Sequence, residues 1–198
     1  MKLPTATYIS EKYTYEDYLE LDFKLNSPED IWKKAIDIFI DRIQSRYFYA
    51  IDKLMENKSG YEMLKYGFAI VTLQCSLIDT LAKFRYGADK QKNEEKFENF
   101  LKEYFIFGDN AEIIARKIYK DIRCGLVHSG STDNMSGLSC HLFELVTVLE
   151  NGAISLDLII MQNKLNEYFK SYIKKLKSKE KELRKNFVYT MDEVCKAN

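Results

Sequence analysis

Arg123 and His128, set in the run Arg-Cys-Gly-Leu-Val-His and followed by Ser129-Gly130-Ser131, are the residues whose types and spacing could do chemistry. The Arg guanidinium is a planar, permanently charged fork of donors that matches phosphate oxygens. The imidazole ionises near neutrality and suits proton transfer. Together they could hold and cleave a phosphodiester. Their spacing sets a geometric condition, because residues five apart on a regular helix point about 140° away from each other. They converge if the chain changes path at Gly125 or in the Ser129-Gly130-Ser131 exit, if the long Arg stem swings round, or if the groups meet across a dimer seam. The blander alternative is an Arg on a solvated flank and a His near a helix C-terminus, where the macrodipole favours its charged form.

The element that must position the pair opens with Asp109, has Glu112 three residues on, and carries Ile114, Ile118 and Ile122 at helical spacing before the Ser-Gly-Ser stop. Upstream, Ser27-Pro28-Glu29-Asp30 predicts a helix start with Ser27 as N-cap and Pro28 in the first turn. Its apolar stripe runs through Trp32, Ile36, Phe39, Ile43, Tyr47, Ala50 and Leu54 to about residue 57. A second helix, from about 61 to 86, is apolar on nearly every side from Phe68 to Phe84 and is therefore central. A shorter one over 93–106 uses Phe97, Phe100, Leu101 and Phe105.

Beyond the motif the period changes. Leu138 to Leu149 and Ala153 to Ile160 read as strands joined at Asn151-Gly152. A two-residue turn would pair Leu149 with Ile154, Thr147 with Leu156, Leu145 with Leu158 and Phe143 with Ile160, and place His141 on the apolar face as a packed structural histidine. A last helix, about 162 to 186, buries Leu165, Phe169, Tyr172, Ile173 and Leu176. It turns Lys170, Lys174, Lys177, Lys181 and Lys185 outward, as a solvated face or as an electrostatic track for an RNA backbone.

The fold expected is mainly α, an antiparallel bundle of four to five helices over 27–186 with a small β-hairpin at 138–160. Residues 1–26 form a tyrosine-rich arm; its end, Leu19, Leu21, Phe23 and Leu25, alternates with period two and could add a third strand. Residues 187–198 are expected to fray as a tail.

With 30 basic and 30 acidic side chains the formal net charge is zero, so a nucleic-acid site must be a local patch. Cys75, Cys124, Cys140 and Cys195 lie far apart, with no Cys-x-x-Cys pair and too few His to complete a zinc site. They read as reduced thiols of a cytoplasmic protein, and no metal or cofactor is expected. The N-terminus lacks an apolar stretch of signal-peptide length, and no later run reads as long enough to span a bilayer.

Asp79 completes the candidate catalytic set. An acid amid Leu77, Ile78, Leu81 and Ala82 must lie on a narrow polar strip or be paired. It pairs with Arg123, orients His128, or is an ordinary solvated or Lys-paired carboxylate.

Arg-x4-His at the end of a bundle helix, preceded by a long central helix carrying Ser76-Leu77-Ile78-Asp79-Thr80-Leu81-Ala82, resembles the higher eukaryotes and prokaryotes nucleotide-binding (HEPN) superfamily over about residues 28 to 186. The resemblance implies a helical bundle that dimerises through its motif helices, with the Arg and His of both protomers lining the cleft between them. It further implies a metal-independent endoribonuclease of toxin, antiviral-defence or RNA-processing type, with RNA as substrate and an antitoxin or defence-system partner. Carried over, Arg123 would position the phosphate and stabilise its developing charge, and His128 would take the proton from the ribose 2′-OH. Cys124 stands where active members commonly carry Asn, Asp or His. That departure keeps a second reading open, a non-catalytic module binding RNA, a nucleotide or a protein.

Overall fold

A computed structural model describes residues 7–87, 91–105, 108–140 and 144–196. The most apolar stretch of the chain makes the central helix, α5 (Gly67–Tyr86), which buries Ile70, Val71, Leu77, Ile78, Leu81 and Phe84. It stops at Gly87, whose φ of 61° is a left-handed conformation open to glycine. By length and composition α5 is apolar enough to cross a membrane, which corrects the expectation that no run qualifies. In this fold it is the core helix, covered by α6 (Asn93–Tyr104), α9 (Leu158–Lys177) and α10 (Lys181–Lys196). The protein is thus mainly helical with a small β element, as expected.

The first long helix is α2 (Glu29–Ile43), which passes through a π-helical turn at Gln44–Phe48 into α3 (Tyr49–Met55). Its N-cap is Pro28, not Ser27. Ser27 Oγ instead accepts from the Lys24 N–H at 2.9 Å, closing the preceding turn. Phe39 of α2 meets the rings of Phe84, Phe169, Tyr172 and Phe187, so one side chain ties α2 to α5, α9 and α10.

The arm forms no strand at 19–25. Thr14 and Asp17 make a reciprocal capping box that starts α1 (Tyr15–Leu19), and Asp22 then adopts a φ of 41°, which breaks extended backbone. Tyr18 donates to Asp192 at 2.7 Å, and Phe23 packs edge-on against Trp32 at 4.7 Å, so the arm is fastened to the bundle. The short helix α4 (Gly60–Leu64) leads into α5.

The third strand comes from elsewhere. β1 (Gly137–Ser139) lies parallel to β3 (Ile154–Asp157), and β2 (Val146–Val148) pairs antiparallel on its other edge, giving the order β1-β3-β2. The hairpin register, Val146 opposite Leu156 and Val148 opposite Ile154, is one residue away from the predicted pairing. The loop holds three residues, Glu150 to Gly152, because Gly152 takes a φ of 77° and the Asn151 side chain accepts from the Ala153 N–H at 3.0 Å. The predicted partners His141 and Phe143 lie outside the described residues. β3 ends early because the Asp157 carboxylate accepts from the N–H groups of Ile159 and Ile160, which caps α9 and makes Leu158–Ile160 helical.

The last predicted helix is two helices. Lys179, with a φ of 67°, turns the chain between α9 and α10. Leu183, Phe187, Met191 and Cys195, four apart, are all buried, so the expected fraying tail is a core helix. The outward lysines are therefore split, Lys170, Lys174 and Lys177 on α9 and Lys181 and Lys185 on α10. Arg184, between them, is buried and bonded to both Glu29 oxygens at 2.9 and 3.1 Å.

Candidate functional site

The motif segment begins with a 3-10 turn, Gly108–Asn110, and continues as α7 (Ala111–Lys117), a π-helical stretch at Ile118–Cys124 and α8 (Gly125–Ser129). Asp109 lies in the opening turn and is not the N-cap; Asn110 holds that place without a side-chain cap. Ile114, Ile118 and Ile122 are buried in the protomer's own core. Gly130, at φ 65° and ψ 16°, ends the segment where the Ser-Gly-Ser stop places it.

Gly125 serves a different purpose from the bend its sequence position suggested. A Cβ there would lie 2.5 Å from the Ser131 carbonyl oxygen and 3.1 Å from Asp133 Oδ2. Glycine therefore lets the 131–136 loop fold back against the helix. Asp121 fastens that loop. Its carbonyl accepts from the Asp133 N–H at 2.7 Å, one carboxylate oxygen from Asn134 Nδ2 at 2.7 Å, and the other from Ser136 Oγ at 3.3 Å. Ser136 Oγ in turn accepts from the Ile154 N–H at 3.2 Å, which links the loop to β3. Sequence reasoning missed Asp121; the available signal was an acid flanking the Ile114-Ile118-Ile122 stripe four residues before Gly125.

Arg123 reaches across to the central helix. Its Nε and Nη2 donate to Asp79 Oδ2 at 3.3 and 3.1 Å, and its guanidinium lies 5.4 Å from the Tyr119 ring centre. Both partners are about a fifth exposed, at 22% and 23% of side-chain area. Burial lifts the Asp79 carboxyl above its ordinary value, with Arg123 and Lys83 pulling the other way. Burial also opposes the Arg123 cation, but the Asp79 charge and hydrogen bond outweigh it and raise its pKa. The Asp79 bonds use Nε and Nη2, and the Cys124 side chain also hydrogen-bonds the guanidinium.

His128 is exposed, and among the described residues no hydrogen bond reaches it or joins it to Arg123. The structure therefore brings Asp79 and Arg123 together, and among the described residues neither is hydrogen-bonded to the His128 imidazole. Of the roles open to Asp79, pairing with Arg123 is the one observed, and orienting His128 is not. Two clefts of about 350 and 330 Å³ open elsewhere, one floored by Phe48 and Phe169 and one by Trp32 and Ile36. Neither takes in Asp79, Arg123 or His128. Among the described residues no group of three or more His, Cys, Asp or Glu side chains gathers as a metal site.

No family model, no curated protein and no solved structure matches the chain. What the site can do must be read from its chemistry. A seated, partly exposed guanidinium is an anchor for an anion, and an imidazole can take up or give a proton.

Proposed function

We infer that the chain is an endoribonuclease whose active site is completed between two copies. One observation carries the reading: Asp79 holds Arg123, still about a fifth exposed, on the segment that exposes His128. The RNA phosphate rests on the exposed part of the Arg123 guanidinium. His128 removes the 2′-OH proton, the 2′ oxygen bonds to phosphorus, and the bond to the 5′ oxygen breaks. A second His128 returns a proton to that leaving oxygen. The products are a 2′,3′-cyclic phosphate and a 5′-OH, and no metal enters this route. Exposed Ile113 and Val127 on the motif segment, at 60% and 48%, give a two-fold contact its apolar area, and such a contact supplies a second His128. The resemblance to the HEPN superfamily supports the same assembly, and extends it to a toxin or antiviral-defence setting with an antitoxin or defence-system partner. Cytoplasmic placement belongs to this reading, since all four cysteines are free.

A second reading is a module that binds RNA without cutting it. It is favoured by the lack of a hydrogen-bond partner for His128 among the described residues, since a working base is ordinarily oriented by another group. Incubating wild type and His128→Ala with a mixed RNA panel in EDTA separates the two. The nuclease reading expects cleavage by wild type alone, leaving cyclic phosphate ends, with fold and dimer unchanged in the variant. RNA binding by both proteins with cleavage by neither selects the binding module.

A further inference from the structure

The turn between α4 and α5 exposes three aromatic rings in eight residues: Tyr61 at 79%, Tyr66 at 44% and Phe68 at 47%. Rings of this size are ordinarily covered, and three within one short turn are more than scattered exposure. Two lysines lie beside them, Lys58 Nζ 4.9 Å from the Tyr66 ring centre and Lys65 Nζ 5.6 Å from that of Tyr61. The one acid within the patch is Glu62, so its local balance is positive. The backbone that presents the rings is anchored from beneath. Met63 is buried, the Gly60 carbonyl accepts from Cys140 Sγ at 3.2 Å, and Gly67 abuts the Leu138 and Leu158 side chains.

Exposed rings interleaved with cations are the chemistry that holds single-stranded nucleic acid: every base has a face to stack, and every linkage has a charge to neutralise. The position of the patch adds a direction. Phe68, Thr72, Ser76 and Asp79, none of them buried, lie on α5 within an arc of about 80° at 100° per residue. Phe68 and Asp79 are three turns apart on almost one line, a rise of about 16 Å. That distance spans about five stacked nucleotides at 3.4 Å each, and fewer in an extended strand.

We propose that Tyr61, Tyr66 and Phe68 form a base-stacking platform for single-stranded RNA, from which the strand runs along α5 to the Arg123–Asp79 pair. The direction toward Arg123 rests on the ribonuclease reading; the platform itself does not. Lys58 and Lys65 meet the phosphates that flank the stacked bases. The site selects unpaired RNA, because bases inside a duplex offer no free faces to the rings.

The test uses the full chain and a single-stranded decamer carrying 5-iodouridine, with photocrosslinks mapped by mass spectrometry. In parallel, the anisotropy of a labelled decamer is measured for wild type, Tyr61→Ala, Phe68→Ala and His128→Ala. Crosslinks are expected on Tyr61, Tyr66 or Phe68. Loss of one ring is expected to weaken decamer binding about tenfold and to leave binding of a duplex of equal length unchanged. His128→Ala is expected to bind as wild type does. Crosslinks that map wholly elsewhere, or ring variants that bind the decamer as tightly as wild type, overturn the platform even where wild type cuts RNA and His128→Ala does not. Ring-dependent binding with no cleavage by any form upholds the platform and overturns the nuclease. The crosslink map needs no variant, so misfolding of a ring variant leaves the proposal testable.

Discussion

Asp79 Oδ2 receives two donors from Arg123, Nη2 at 3.1 Å and Nε at 3.3 Å, across 44 residues of sequence. Both bonds fall on one carboxylate oxygen, so the guanidinium is held through Nε and Nη2. Asp79→Asn keeps the shape and removes the charge. Stability should change by less than about 1 kcal/mol, because burial already disfavours the Asp79 charge in this partly exposed pair, while RNA cleavage should fall at least about tenfold because Arg123 is no longer held in place. Asp79→Glu should recover part of kcat, which a merely structural role would not require. Wild-type cleavage and dimer stability in Asp79→Asn would remove Asp79 from the site.

Gly125→Ala sets a methyl group against the Ser131 carbonyl, with 2.5 Å between them before anything moves. The obstacle is backbone, so the loop must lift from Asp121. A loss of about 1–3 kcal/mol is expected, read as a lower urea midpoint at an unchanged slope. An unchanged midpoint would show that the loop is not held against the helix.

Phe187 stands between the rings of Trp32, Phe39 and Phe84 with its side chain fully enclosed. Phe187→Ala should cost about 3–5 kcal/mol, the range for removing a buried ring. Ending the chain at residue 186 should abolish cooperative thermal unfolding, since it also removes Met191 and Cys195 from the core. Cooperative unfolding of that shortened chain at the wild-type temperature would contradict the packing of α10.

Glu29 and Asp79 should respond to acid with opposite signs. The Arg184 hydrogen bonds lower the Glu29 carboxyl from an ordinary value of 4.5 to about 2, against a smaller opposing effect of burial and with help from Lys179. A carboxyl depressed in the folded state contributes stability that is complete above 4.5 and lost as the pH falls toward about 2. Asp79 is raised by burial, so its contribution is present at low pH and is lost as the pH rises through its folded-state value. Urea unfolding across a pH series should therefore show a Glu29→Gln variant with a flatter acid limb than wild type. An identical acid limb in the two proteins would place the stabilising titration elsewhere.

Helices were legible where apolar residues recur with a long, uninterrupted period, as in α5 and in the Ile114-Ile118-Ile122 stripe. The Asp79–Arg123 pair was legible as well, because a carboxylate among leucines and isoleucines demands a partner and the chain has few Arg to offer. What periodicity could not separate were outcomes decided by one local hydrogen bond. The Thr14–Asp17 box turned an alternating segment into a helix and a turn, and the Asp157 cap took Leu158–Ile160 from β3 into α9. Gly152 and the Asn151 side chain added one residue to the hairpin loop and so moved the register by one. The stripe of Leu183, Phe187, Met191 and Cys195 was present in the sequence, but its proximity to the chain end favoured a fraying tail. The separation of Arg123 from His128 was posed correctly as an angular problem, yet the irregularity lay upstream, at Ile118–Cys124, where no glycine or proline marks it.

That π-helical stretch works as a phase shifter. Before it, the helix keeps time with Ile114 and Ala115 facing the core; after it, Leu126 is the inward beat while Val127 and His128 fall on the outward one. Deleting a single residue between 118 and 122 would turn everything downstream, Arg123 and His128 together, by about 100° and carry the guanidinium away from Asp79, while leaving every side chain of the motif present. The Arg-x4-His spelling and the angle at which it is displayed are thus separate inheritances of this chain, and a relative could keep the letters while losing the geometry.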